Sequence, residues 1–146
     1  MSVDRLPSGT SISGGTAFNL ILDDNAASDQ DNNGTSFEAM AGLSQVSFTV
    51  PISGSHLFIF ETAGHFVGAT MAPTFRISID SDDVIVGSSD KWIAFSSSTA
   101  SIMFFTFVDV VTLSAGSHTA DFEIKVSNNT WRRASGVGTA RCVVIS

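Results

Sequence analysis

From Val111 to Val126 the chain reads Val-Thr-Leu-Ser-Ala-Gly-Ser-His-Thr-Ala-Asp-Phe-Glu-Ile-Lys-Val, a strand, a Gly turn and a second strand. After the turn Phe122, Ile124 and Val126 share one face while Asp121, Glu123 and Lys125 share the other. This period of two marks a strand with one buried side and one wet side. Further strands are predicted at Thr16–Leu22, Val46–Val50, Ser55–Thr62, Thr74–Asp80, Asp83–Gly87, Lys91–Phe95, Ser101–Thr112, His118–Ser127 and Thr139–Ser146. Clusters of Gly, Pro, Asn, Asp or Ser separate them. Asp23–Thr35 reads as a long acidic loop, and Phe37–Gly42 as one helical turn or a short connector. No stretch sustains a 3.6-residue period. Short strands, regular turns and no long helix predict an all-β protein, a two-sheet antiparallel β-sandwich of the jelly-roll kind.

Two segments depart from this pattern. Ile102-Met-Phe-Phe-Thr-Phe-Val108 does not alternate cleanly, which predicts burial on both faces and therefore a partner subunit over the outer one. Met1–Gly15 is polar and carries Pro7, Gly9, Gly14 and Gly15, so it is expected to be an extended N-terminal arm that orders only against a partner. The remainder, 16–146, forms a single domain, long enough to bury a core without disulfides. Cys142, alone in the chain, sits in an apolar final strand and reads as a small core residue.

Composition sharpens the picture. Only 14% of residues are charged, against a usual ~25%, and Lys occurs only at 91 and 125. Interface cores are depleted in charge, so a Phe-rich chain with so few charges is expected to be covered in part by neighbours. The net charge of −7 and a single basic pair, Arg132-Arg133, argue against nucleic acid as a partner. No apolar run reaches the ~18 residues of a membrane-spanning helix, so no membrane partner is expected.

Chemistry has few footholds. Asp29-Gln-Asp-Asn-Asn-Gly34 fits the first half of a calcium loop, in which Asp29, Asp31 and Asn33 would supply oxygens and Gly34 the sharp turn. The glutamate expected at the twelfth position is Met40, so the loop reads first as a solvated turn, with calcium as the alternative and no other cofactor or metal expected. Glu38, Asp23 or Asp24 would have to complete the shell. His56, His65 and His118 lack the His-x-His spacing of a cupin metal site; His118 is expected to bond the turn backbone beside it. Gly-x-Ser-x-Gly is absent, and the acids fall in turns or on wet faces, so no catalytic residues and no enzyme are expected. Trp131, in Asn128-Asn-Thr-Trp-Arg-Arg133, reads as an aromatic in an exposed loop, expected first to cap the sandwich or bury at a subunit seam, with surface or sugar contact as the alternative.

The strand pairs Val46-Ser-Phe-Thr-Val-Pro-Ile-Ser-Gly-Ser-His-Leu-Phe-Ile-Phe60 and Val111–Val126 resemble the C1q/TNF-like jelly-roll modules of tailed-bacteriophage virion structural proteins. Gly54 and Gly116 match that pattern's turn positions, and Asp80-Ser-Asp-Asp83 its hairpin turn, although no Gly follows Asp80. The resemblance covers residues 43–146. It implies a virion protein on the capsid surface, a decoration or cement protein that binds the major capsid protein as a homotrimer, with a dimer as the alternative. On this reading Phe104, Phe105, Phe107, Trp131, Arg132 and Arg133 contribute to the interface, and the arm contacts the capsid or a neighbour. The alternatives are a tail-fibre or baseplate receptor-binding tip, and a soluble C1q/TNF-like recognition or carbohydrate-binding module.

Overall fold

A computed structural model of the protein describes residues 18–67, 73–87, 102–126 and 130–146, with the backbone alone along 83–87. The arm Met1–Gly15 and the strand expected at Lys91–Phe95 lie outside the described residues. Within them the chain forms β1 (Phe18–Asn25), β2 (Gln30–Asn32), β3 (Glu38–Ala39), β4 (Val46–Val50), β5 (Gly54–Val67), β6 (Thr74–Ile79), β7 (Asp82–Gly87), β8 (Met103–Leu113), β9 (Gly116–Lys125), β10 (Thr130–Arg133) and β11 (Thr139–Ile145). All the pairings are antiparallel.

Two sheets pack face to face. In the first the order is β1-β11-β5-β8, and β10 and β2 continue the sheet beside the far end of β5. In the second, β4 and β3 both line one side of β9, followed by β6 and β7. Successive long strands cross repeatedly between the sheets, so the sandwich is wound as a jelly roll. The acidic stretch Asp23–Thr35 contains the end of β1 and all of β2, and Phe37–Gly42 contains β3 and no helix.

Turn chemistry fixes the hairpins. Asp80 and Ser81 both have positive φ, 52° and 73°, the requirement of a two-residue turn between β6 and β7. Asp and Ser thus adopt there what Gly or Asn would adopt more cheaply. Gly116, at φ 139°, begins β9 where a side chain would be strained, and Gly54 does the same for β5 at φ 155°.

The core is aromatic. Phe60 stacks on Phe107 at 5.7 Å and on Phe122 at 5.2 Å, which joins the two sheets. Phe75 meets Phe105, Phe107 and Trp131 at 5.4, 5.2 and 5.7 Å. Each of these rings contributes about 1.5–3 kcal/mol by leaving water, more where edge-to-face geometry adds to it. Gly64 is the close approach that lets this happen: a Cβ there would sit 2.5 Å from the Trp131 ring and 2.5 Å from the Arg132 carbonyl oxygen.

Candidate functional site

The outward face of the first sheet is apolar. Register places Phe18, Ile145, Leu57 and Val110 in one row across four strands, and Leu20, Val143, Ile59 and Val108 in the next. The edge strands leave their members most open, at 52% for Phe18 and Leu20, 61% for Val108 and 59% for Val110. A third row, Asp23, Arg141, Glu61 and Thr106, is polar, and beyond it Phe104 stands 78% exposed opposite Ala63. Shallow hollows flank the Glu61–Arg141 ridge. One of about 420 Å³ borders Leu20, Ile59 and Val143, and one of about 320 Å³ borders Phe104 and Thr139.

The second sheet behaves oppositely. Its outward positions are Ser47 and Thr49 on β4, Ser117, Thr119, Asp121, Glu123 and Lys125 on β9, and Thr74 and Arg76 on β6. Arg76 Nε donates to Glu123 Oε2 at 2.7 Å and its guanidinium lies 4.1 Å from the centre of the Phe37 ring. Such a face is adapted to water. With strands ~4.8 Å apart and same-face rows ~6.8 Å apart, the four rows of the first sheet span roughly 500 Å². About half of that is apolar, an ordinary amount for a monomer to leave exposed, and the whole is most of the ~800 Å² that each partner buries in a standard interface.

The expectation for Ile102–Val108 needs correction. Phe105 and Phe107 point inward and are buried in the chain's own core, while Phe104, Thr106 and Val108 point outward, so the strand does alternate. The sequence concealed this because both faces are apolar. Of the three phenylalanines expected at an interface, only Phe104 is open to a partner.

Trp131 is likewise corrected: it lies in β10, fully buried against Phe66, Phe75 and Phe105, rather than in an exposed loop. Arg133 is also fully buried and pairs with Asp24, with its Nη1 donating to the Ala41 carbonyl at 3.2 Å. Arg132 forks onto Asp31, with Nε and Nη2 each 2.6 Å from a carboxylate oxygen, and its Nη1 reaches Asp29 Oδ2 at 3.0 Å. Arg132 thus staples β10 to β2 and to the loop before it, Arg133 ties it to β1 and the Ala41 backbone, and Trp131 anchors it in the core.

The loop weighed as a calcium site is organised by that arginine. The Arg132 hydrogen bonds hold Asp31 below the usual carboxylate range. Asp29 Oδ1 accepts from the Ser135 backbone amide, and the Asn33 backbone amide donates to Glu38 Oε1. Glu38 also accepts from the Gly34 amide and from Asn32, and these bonds lower its pKa. Asp23 is turned to Arg141 and Asp24 to Arg133. The carboxylates named for a cation shell therefore face guanidinium groups or backbone amides, and among the described residues no three His, Cys, Asp or Glu side chains converge.

His118 joins two turns. Its Nε2 donates to the Ser114 carbonyl at 2.9 Å, the turn contact expected from sequence, and its Nδ1 lies 2.6 Å from Asp80 Oδ2 in the β6–β7 turn. Both neighbours are acceptors, which favours the doubly protonated ring; the Asp80 bond and the Ser114 carbonyl raise the His118 pKa. Cys142 is fully buried, and burial pushes its thiol up to about 12, away from nucleophilic chemistry. His56 is buried in β5, where its Nδ1 bonds Ser146 Oγ at 3.0 Å.

No family model matches the chain, and no curated protein matches it. The apolar face of the first sheet is the surface on which a functional reading rests.

Proposed function

We propose that the protein is a structural subunit of a tailed-phage virion, a decoration or cement protein that forms a homotrimer and binds the major capsid protein on the outer surface of the head. The observation that carries the assembly part is the pair of apolar rows on the outward face of β1, β11, β5 and β8. A second copy is the occupant that fits. The chain's own residues 1–17 offer only Met1, Val3, Leu6 and Ile12 as large apolar side chains, too few to cover eight apolar positions. Around a threefold axis each copy would turn part of this face toward its neighbours, and Phe104 projects beside hollows of the kind it could fill.

Threefold symmetry and a place on a capsid follow from the resemblance of Val46–Phe60 and Val111–Val126, and the jelly-roll winding supports it. Trp131, the aromatic on which a sugar-binding reading would draw, lies in the core. Attachment would gain from multivalency, since subunits of one trimer engage adjacent shell positions at high effective concentration.

Native mass spectrometry and co-sedimentation with heads that lack the protein test this reading. The expected result is a species of three 15.3 kDa chains that pellets with the heads. A single-chain mass would remove the assembly reading, and an oligomer that leaves heads unbound would remove the capsid reading.

A further inference from the structure

Self-association through this face would bury its third row along with the apolar ones. That row contains Asp23 on β1, Arg141 on β11, Glu61 on β5 and the uncharged Thr106 on β8. Arg141 Nε donates to Asp23 Oδ1 at 2.7 Å, so the single cation is already committed to one of two carboxylates. Glu61 sits opposite Arg141 in register, yet makes no hydrogen bond to it. The neighbouring rows supply no compensating charge: Leu20, Val143, Ile59 and Val108 lie on one side, and Ala63 and Phe104 on the other. The row thus carries one surplus negative charge per copy, on a ridge between two hollows that a partner's apolar side chains would fill.

We propose that Glu61 is a built-in brake on self-association and that the Asp23–Arg141 pair sets its register. This rests on the assembly reading above. The physical reason is desolvation: bringing a second copy onto the face removes water from an incompletely paired carboxylate and places like-charged rows near one another. The apolar rows supply attraction that is insensitive to register, since one aliphatic row packs on another with little discrimination. A charged pair discriminates, because a slipped register leaves Arg141 against apolar carbons.

The test compares the intact wild-type chain with Glu61→Gln, Arg141→Gln and Val108→Lys, each checked for folding by circular dichroism, in dilution-series sedimentation at low and high salt. Glu61→Gln keeps the shape and removes the surplus charge, and should tighten association by about tenfold or more. Arg141→Gln leaves two carboxylates unpaired and should weaken it by at least as much. Raising the salt should strengthen the wild type and scarcely affect Glu61→Gln. If Val108→Lys dissociates the protein while Glu61→Gln matches or falls below wild type, the brake is overturned and the assembly reading stands. If Val108→Lys associates as the wild type does, or the wild type is monomeric, the assembly reading itself fails.

Discussion

His118 shows how one side chain couples distant parts of the chain. Its ring lies against Phe48 at 5.6 Å and links the β8–β9 turn to the β6–β7 turn, where Asp80 also accepts from the Thr119 amide at 2.8 Å. The raised His118 pKa means its contribution is complete below the unfolded histidine value near 6.5 and is lost as pH rises through the higher folded value. Asp80 is lowered, first by the His118 bond and then by the Thr119 amide, so its contribution is lost as pH falls through a value below 3.8. The pair therefore stabilises most between about pH 4 and 6.5. Urea midpoints for wild type and His118→Gln should lie furthest apart near pH 5.5 and converge toward pH 9; a separation independent of pH would contradict the charged pair. The Ser114 contact was legible because it lies four residues away. Asp80 is 38 residues distant, and no local pattern announces it.

At the scale of elements, β4 was read at its actual bounds because Val46, Phe48 and Val50 alternate with Ser47 and Thr49 between turn signals. β10 was missed. Thr130-Trp-Arg-Arg133 is preceded by two Asn residues and looks like a polar loop, yet it pairs with both β5 and β2. The stabilising partners, Asp31 for Arg132 and Asp24 for Arg133, are 101 and 109 residues away. The strand is therefore a product of tertiary pairing rather than of local propensity. Its weight in the fold can be measured: Trp131→Ala should cost about 3–5 kcal/mol by emptying the junction of Phe66, Phe75 and Phe105. Gly64→Ala should cost about 1–3 kcal/mol through overpacking against the same ring. Denaturant melts check both, and losses below about 1 kcal/mol would mean the strand is peripheral. β8 carries a different lesson, since its two apolar faces have different fates. Only pairing with β5 separates Phe105 and Phe107, which build the core, from Phe104, Val108 and Val110, which do not.

The whole molecule is a sandwich with one face made for water and one that is not. Low charge content raised the expectation of a covered surface, and the strand order locates an apolar face, because Phe18, Ile145, Leu57 and Val110 come from four separated stretches of sequence. Edge-to-edge growth is a poorer route to assembly than contact through this face. On β8, an edge strand among the described residues, Asp109 turns its carboxylate onto the Val110 amide at 2.8 Å, and a charge at an edge discourages an added strand. The face is where copies should meet. Sedimentation equilibrium of the intact chain at micromolar concentration, beside Val108→Lys and Leu20→Lys on opposite edges of the face, tests this most directly. The account predicts a homo-oligomer for the wild type and folded single chains of 15.3 kDa for both variants. A monomeric wild type, or variants that associate as the wild type does, would contradict it.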